Sequence, residues 1–178
     1  MSDAEMPVAL KVESEYGTLE AVLVHEPGFE VDRLTVSNRE RLLFEDIPYL
    51  TPMNAEHRHF ASVLEAQGVR VLRMGELLRD LLQERQIRRR LVLDASSASG
   101  HPDLGSLLLE HFDDDADRIY KLLLFGVTAG ELYDETGLAL HPLTRDADDF
   151  LIEPLPNAYF TRDPAVVISS ALISCNMH

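Results

Sequence analysis

Several residue types and motifs are scarce in this chain of 178 residues, and each scarcity excludes something. Cys175 is the only cysteine, so no disulfide can form within the chain, which fits a reducing compartment. The N-terminus has no apolar signal-peptide core, and no uninterrupted apolar run is long enough to span a bilayer. We therefore expect a cytoplasmic protein without a membrane partner.

Positive charge is also scarce. Lysine and arginine number 16 against 31 aspartates and glutamates, which gives a formal net charge of −15. Such a surface repels phosphates, so we expect no nucleic acid among its partners. Hydrophobic residues make up 46% of the chain, which is enough to build a core and excludes a disordered protein.

The familiar nucleotide and nucleophile motifs are missing: the chain has no Walker loop, no GxGxxG and no GxSxG. It has seven histidines, but none forms an i, i+4 pair beside a carboxylate, so we expect neither a metal nor a cofactor. Cys175 is followed closely by His178, yet no glycine-rich loop surrounds it to donate to an oxyanion. We interpret Cys175 as a small apolar residue at a strand end rather than a nucleophile.

The first third of the chain predicts a strand, a loop, a helix and a second strand. Leu19–His25 is apolar and bounded by turn residues, Thr51 and Pro52 suit the start of a helix, and Val69–Leu72 follows a glycine. A helical crossover of this kind favours a parallel strand pair. The helix carries an apolar stripe formed by Phe60, Val63 and Leu64.

The middle of the chain is predicted to be an all-helical insertion. Helical patterns cover Leu104–His111 and Ala116–Phe125, Thr128 suits the cap of a last short helix, and Ser96–Gly100 is typical of a loop. The arginine-rich run Arg85–Arg90 could bind nucleic acid, but a solvated helix face paired with nearby acids fits the net charge better.

Recognition groups concentrate in the segment Leu155–Pro164, which precedes a predicted hairpin of two strands, Val166–Ile168 and Leu172–Ser174. Two prolines restrict its backbone, and an amide, two aromatic rings, an arginine and an aspartate lie between them. A held carboxylate such as Asp163 could bind a guanidinium or an amine, or it could form a structural pair with Arg162. Alternatively, the segment is a plain turn in which Asn157 and Asp163 cap their own backbone.

Taken together, several segments resemble the arginine deiminases, a family of guanidino-group-modifying enzymes. The match covers almost the whole chain, and the helical middle fits it too. The matching segments, in chain order, are Gly17–Gly28, Leu34–Asn38, Leu42–Pro48, Glu56–Phe60, Gly68–Leu72, Pro154–Asn157 and Phe160–Pro164.

The resemblance implies an α/β fold: part of a pentein-type α/β propeller, with a first ββαβ-like module and an inserted all-helical subdomain. The corresponding boundaries are 1–74 for the first module, 75–148 for the helical insertion and 149–178 for the truncated start of a second module. It also implies hydrolysis of L-arginine to L-citrulline and ammonia through a covalent cysteine intermediate. The helical insertion argues against an amidinotransferase or a dimethylarginine hydrolase.

Residue by residue, the resemblance makes Asp163 the catalytic aspartate that holds the guanidinium. Phe160 would pack beside the guanidinium, Leu43 would line the channel, and Asn157 would reach the amino-acid end of the substrate. The family's glutamate, histidine, second aspartate and nucleophilic cysteine have no counterpart here, so we expect an N-terminal portion that is inactive alone. The alternative is a non-catalytic binding or regulatory module that pairs with another chain, and a homo-oligomer of the full-length protein stays open.

Overall fold

The computed structural model describes residues 10–137 and 146–175, which form a mixed arrangement of helices and short strands. In chain order its elements are β1 (Ala21–Val24), α1 (Phe29–Asp32), α2 (Leu50–Ala66), β2 (Arg70–Arg73), α3 (Met74–Gln83), α4 (Arg85–Ala98), α5 (Pro102–Phe112), α6 (Ala116–Phe125), β3 (Val127–Thr128), α7 (Ala129–Thr136), β4 (Phe150–Ile152), a 3-10 helix (Pro156–Tyr159), β5 (Ala165–Ile168) and β6 (Ala171–Ser174). Residues 1–9, residues 138–145 and residues 176–178, which include His178, lie outside the described residues.

The predicted parallel strand pair is confirmed. β1 and β2 run parallel, with Ala21 opposite Arg70 and Val24 opposite Arg73, and α2 forms the crossover between them. Gly68 ends the crossover with a φ of 81°, a left-handed conformation that glycine adopts without strain.

The predicted start of α2 is wrong. The helix begins at Leu50, and its N-cap residue is Tyr49, which makes no side-chain capping bond. Thr51 therefore lies inside the first turn rather than capping it. The Met53 N–H donates to the Tyr49 carbonyl at 3.2 Å, so the helical hydrogen bonds begin at Tyr49.

The predicted apolar stripe of α2 is also wrong at two of its three positions. Phe60 and Val63 are 53% and 47% exposed, whereas His57 and Ala61 are buried. A small side chain such as Ala61 lets a helix approach its neighbour closely, so packing against β2 selects a face that hydrophobicity alone does not mark.

The helices α3 to α7 surround the main apolar core, and the patterns of α5 and α6 are confirmed. α6 has the predicted bounds, and its apolar residues Ile119, Leu122 and Leu123 are all buried. The fully buried core side chains are Leu82, Val92, Leu104, Leu108, Ile119, Leu122, Leu124, Val127, Leu132 and Leu151.

Thr128 caps α7 as predicted, in a reciprocal capping box. Its hydroxyl accepts from the Glu131 backbone N–H at 3.3 Å, while the Glu131 carboxylate accepts from the Thr128 N–H at 2.9 Å. Two otherwise unpaired backbone donors of the first turn are satisfied in this way. Gly137 ends the helix with a φ of 72°.

The loop predicted over Ser96–Gly100 is mostly helix, because α4 continues to Ala98. Ser96 is fully buried, and a Cβ placed on Gly105 of α5 would lie 3.2 Å from its hydroxyl oxygen. Small residues on both helices let them pack closely, so Ser96 serves the helix contact rather than a turn.

The arginine-rich run pairs with acids, as predicted, with one exception. Arg85 and Arg89 both donate to Asp113, and Arg90 donates to Asp94 of the same helix at 3.3 Å. Arg88 is instead buried, with its guanidinium donating to the carbonyl oxygens of Asp113 and Leu82 at 2.7 and 2.5 Å. These carbonyls belong to helix ends, where no further turn supplies a donor.

Two antiparallel pairs complete the described strands. β3 pairs with β4, opposing Val127 to Ile152, and this sheet was not predicted. The segment 75–148 is therefore not all-helical as predicted, because it also contains the short strand β3. β5 and β6 form the predicted hairpin, from Ala165 opposite Ser174 to Ile168 opposite Ala171. Among the helices of the described ranges, none combines the length and apolar character that crossing a bilayer requires.

Candidate functional site

The segment Leu155–Pro164 folds around a 3-10 helix, Pro156–Tyr159. Pro156 is buried at the start of this helix, where its fixed φ and missing N–H cost nothing. The Phe160 N–H donates to the Asn157 carbonyl at 3.0 Å, and the Asp163 N–H donates to the Phe160 carbonyl at 3.2 Å. Consecutive turns therefore present Asn157, Phe160 and Asp163 from one short, tightly bonded stretch.

The second part of the site is the loop that joins α1 to α2, residues 33–49. The buried Asn38 stabilises the conformation of this loop. Its side chain accepts from the Thr35 N–H at 2.7 Å and donates to the Arg33 carbonyl at 2.9 Å. The Leu42 N–H donates to the Asn38 carbonyl at 3.0 Å. Leu43 follows with a φ of 64°, an uncommon conformation for a side chain of its size.

These two parts contact each other across more than a hundred residues of sequence. The Asn157 side-chain amide donates to the Leu42 carbonyl at 2.9 Å. The rings of Phe44 and Phe160 lie 6.2 Å apart, centroid to centroid. Asn157 therefore joins two segments instead of capping its own backbone, as the plain-turn alternative required.

The exposed side of this junction carries the remaining predicted site residues. Leu43 is 68% exposed and Phe160 is 43% exposed, while Asn157 is half-buried. The Asp163 side chain is exposed, and within residues 10–137 and 146–175 its carboxylate accepts no hydrogen bond. Arg162 forms its ion pair with Glu15 at 2.7 Å instead of with Asp163, although the negative charge of Asp163 also helps to raise the pKa of Arg162.

Further contacts hold both segments to the rest of the fold. The Thr161 hydroxyl donates to the Leu23 carbonyl of β1 at 2.9 Å. Arg41 of the loop pairs with Glu153, just after β4, at 2.6 Å. The candidate site is therefore held both to strand β1 of the parallel sheet and to the residue that follows β4.

A buried polar cluster beneath the site was missed by sequence reasoning. His25 and Glu30 are both buried, and the ring Nε2 lies 2.9 Å from the carboxylate Oε1, which also accepts from the Gly28 N–H at 2.6 Å. His57 is buried nearby on α2, with its ring 6.0 Å from that of Tyr159. The sequence feature that could have indicated this cluster is His25 at the end of a predicted buried strand, five residues before Glu30.

Electrostatics distinguish His57 from an ordinary surface histidine. Burial lowers the pKa of His57 below its usual 6.5, Glu26 opposes this change, and the nearby His25 and Arg73 reinforce it. The imidazole is therefore neutral at neutral pH. Its Nδ1 atom is buried and has no hydrogen-bond partner among the described residues.

Cys175 and an acidic cleft lie apart from this junction. Cys175 lies at a strand end, as predicted: it is one residue beyond β6, where its N–H donates to the Pro164 carbonyl at 2.9 Å, and it is exposed. A cleft of about 600 Å³ is lined by the end of α5 and the start of α6, including Glu110 and Asp114. Across the described ranges, no group of three or more His, Cys, Asp or Glu side chains is arranged to hold a metal ion.

Comparison with known proteins gives one consistent family. A protein-family model described as arginine deiminase matches residues 40–178. The chain is 36% identical over 173 residues to an arginine deiminase of Mycolicibacterium gilvum, which covers 93% of this chain and 42% of the relative. It is 35% identical over 171 residues to that of Pediococcus pentosaceus and 32% identical over 170 residues to that of Listeria monocytogenes serotype 4b. Each of these two matches covers 94% of this chain and 42% of the relative. The chain thus spans about two fifths of the length of the curated relatives it matches.

Proposed function

The chain belongs to the arginine deiminase family, and from that premise we propose that it supplies part of the arginine-binding site of an enzyme that hydrolyses L-arginine to L-citrulline and ammonia. The observation that carries this proposal is the junction between the loop 33–49 and the segment Leu155–Pro164. Asn157 and Phe160 contact Leu42 and Phe44 there, although 115 positions separate Asn157 from Leu42.

In this proposal Asp163 binds the substrate guanidinium. An exposed carboxylate that accepts no bond from the described residues keeps both oxygens available for the paired N–H donors of a planar guanidinium. Phe160 packs its partly exposed ring against the guanidinium and the aliphatic stem, since cations are attracted to ring faces. Orientation of the cation in this way prepares the guanidinium carbon for attack.

The other two residues would define the ends of the substrate. Leu43 lines the site with an exposed apolar side chain, which its left-handed backbone turns away from the core. Asn157 bonds the Leu42 carbonyl through its amide nitrogen, which leaves its side-chain oxygen as the group that reaches the amino-acid end of arginine.

Turnover requires groups that we do not assign to this chain. The family reaction uses a cysteine thiolate, and the only cysteine here, Cys175, is exposed. Removal of a nucleophile and its base abolishes chemistry that proceeds through a covalent intermediate. We therefore propose that the chain alone binds arginine weakly and makes no citrulline, and that its sheets belong to a larger pentein-type propeller with residues 75–148 as its helical insertion.

The experiment is arginine binding to the purified chain, measured by isothermal titration calorimetry, for the unaltered chain, Asp163→Asn and the control Asp148→Asn. Both aspartates are exposed, so the two variants change the net charge equally. We expect Asp163→Asn to weaken binding by about tenfold or more, since a charge-assisted pair is worth about 1.5 kcal/mol or more. Asp148→Asn should bind like the unaltered chain, and equal binding by both variants would overturn the role of Asp163.

A citrulline assay on the same samples distinguishes the alternative, a non-catalytic binding or regulatory module that pairs with another chain. The β5–β6 hairpin exposes Ile168, Leu172 and Ile173, which is compatible with contact to further protein. Citrulline from the chain alone would contradict both readings and direct attention to Cys175. Arginine binding without citrulline fits both readings, and citrulline that appears only once the remainder of a relative is added favours the enzyme.

A further inference from the structure

An aromatic row connects α2 to the candidate site. The ring of His57 lies 6.0 Å from that of Tyr159, Tyr159 lies 5.2 Å from Phe160 in an edge-on contact, and Phe160 lies 6.2 Å from Phe44. His57 is the innermost member, at 8% exposure, while Phe160 is the member that faces outward. The row therefore passes from the buried side of α2 to the surface where arginine is proposed to bind.

We propose that His57 is a positioning residue: its ring holds the 3-10 helix Pro156–Tyr159, and with it Asn157 and Phe160, against the Leu42–Phe44 segment. Tyr159 ends that 3-10 helix, two residues after Asn157 and one before Phe160. A displacement of Tyr159 would therefore move both substrate-binding side chains. The consequence for arginine rests on the proposed function, whereas the contact between His57 and the 3-10 helix does not.

The position of His57 makes this support dependent on its charge. Its ring contacts the aromatic ring of Tyr159 and is buried against the sheet, where Glu26 and His25 approach from the end of β1 and Arg73 from β2. Protonation would place a cation in a buried site near Arg73, which pairs with Glu65 at 2.8 Å. Glu26, the carboxylate that opposes the lowered pKa, already pairs with Arg58 at 3.1 Å. The neutral ring fits this site, and the charged ring does not.

The direction of the pH effect follows from the lowered pKa of His57. A histidine whose folded-state pKa lies below its unfolded value of 6.5 stabilises the folded arrangement above pH 6.5. That contribution is lost as the pH falls below 6.5 through the folded-state pKa. We therefore expect the support for the 3-10 helix to weaken on mild acidification.

The test is a pH titration of the whole chain, labelled with ¹³C and ¹⁵N, followed by NMR from about pH 8 to about pH 4.5. The ring of His57, the ring of Tyr159 and the side-chain amide of Asn157 are followed together. We expect all three resonances to change with one common midpoint, below 6.5. If the resonances of the Tyr159 ring and the Asn157 amide do not change while His57 titrates, the proposal is overturned.

Two variants separate positioning by His57 from a non-specific change of the fold at low pH. His57→Phe keeps a flat ring that cannot titrate, so the Tyr159 and Asn157 resonances should stay at their high-pH positions throughout. The matched control His59→Phe makes the same change at an exposed position of α2 and should leave the midpoint in place. Persistence of the midpoint in His57→Phe would contradict the proposal, and if that variant does not fold, the titration of the unaltered chain decides alone.

Arginine titrations of the same samples keep this inference separate from the proposed function. Arginine binding should weaken with the His57 midpoint in the unaltered chain and lose this pH dependence in His57→Phe. If the chain binds no arginine at any pH, the proposed function fails, while the resonances of Tyr159 and Asn157 still decide the role of His57.

Discussion

At the scale of single residues, one guanidinium ties the loop of the candidate site to the helical core. Arg33 binds Glu131 through two parallel hydrogen bonds of 2.5 and 2.6 Å, and it also donates to the Phe125 carbonyl at 3.1 Å. Its guanidinium carbon lies 4.9 Å from the centre of the Phe150 ring. The Asn38 side chain also donates to the Arg33 carbonyl. The pair of Arg33 with Glu131 therefore fixes the start of the loop 33–49.

The first prediction concerns the pH dependence that this pair gives to stability. The Arg33 guanidinium, helped by the Thr128 N–H, lowers the pKa of Glu131 from 4.5 to about 2, although burial opposes the change. A depressed carboxyl pKa stabilises the fold above pH 4.5, and the contribution is lost as the pH falls from 4.5 toward 2. The Glu131 side chain is 46% exposed, so screening limits the contribution to about 1 kcal/mol.

We therefore expect Glu131→Gln to lower the free energy of unfolding by about 1 kcal/mol near pH 6, with a difference that shrinks as the pH falls from 4.5 toward 2. Urea unfolding at several pH values measures this. The control Glu110→Gln removes an exposed carboxylate from α5 and should differ little from the unaltered chain at any pH. A Glu131→Gln deficit that persists unchanged in acid would assign the effect to the capping box instead of the ion pair.

Sequence reasoning at this scale identified the residues of the junction but not their support. Asn157 and Phe160 stood out because amides and rings between prolines are recognisable as recognition groups. His57 did not, because a lone histidine on a helix becomes informative only when its buried neighbours are known. The pairing of Arg33 with Glu131 joins residues 98 positions apart, and no local pattern indicates it.

At the scale of elements, the turn between α6 and β3 is the tightest backbone packing among the described glycines. Gly126 has a φ of 70°, and a Cβ placed there would lie 2.5 Å from the Ile152 carbonyl oxygen and 2.6 Å from the Pro154 nitrogen. These atoms belong to β4 and the residues after it, so the close approach is what lets β4 pair with β3. Backbone atoms cannot move aside as a flexible side chain could.

The second prediction compares alanine at two glycines with similar conformations. Gly100 has a φ of 80°, but a Cβ placed there would meet no atom within 4 Å, so Gly100→Ala should cost only the left-handed penalty, about 1 kcal/mol. Gly126→Ala carries the same penalty plus overpacking, and should be more destabilising by at least about 2 kcal/mol. Chemical denaturation measures both values.

Equal costs for the two alanine variants would show that β4 does not pack against Gly126 as described. Failure of Gly126→Ala to accumulate in folded form, while Gly100→Ala folds normally, would agree with the larger expected cost. The comparison controls for backbone conformation, because both positions lie in the left-handed region.

Element prediction succeeded where the chain carries its own start and stop signals. α6 has the predicted bounds because Asp115 accepts from the Arg118 N–H at its start and Gly126 follows its end. The pairing of β3 with β4 was missed because a strand of two residues, Val127–Thr128, shows no alternation. The buried face of α2 was misjudged because the neighbouring sheet, not hydrophobicity, selects it.

At the scale of the whole molecule, apolar burial is unevenly distributed. The main core lies among α3 to α7 with Leu151 of β4, whereas the β5–β6 hairpin exposes all four residues of β6. Outside its own pairing, the hairpin is joined to the N-terminal part by an isolated bridge between Ser169 and Val12. Regions with few buried apolar contacts open at lower free energy than the core, so the protein should open first at the hairpin.

The last prediction uses one substitution at two leucines to test this distribution. Leu122 of α6 is 0% exposed and Leu172 of β6 is 59% exposed. Leu122→Ala leaves a cavity in the core and should cost about 3 kcal/mol, whereas Leu172→Ala should stay within about 0.5 kcal/mol of the unaltered chain. Hydrogen exchange should show α6 amides as the slowest class and β5–β6 amides as a fast class, and Leu122→Ala should accelerate the α6 amides without changing the hairpin. Hairpin amides as slow as those of α6, or a Leu172→Ala cost equal to that of Leu122→Ala, would mean that the hairpin belongs to the same cooperative unit as the helical core.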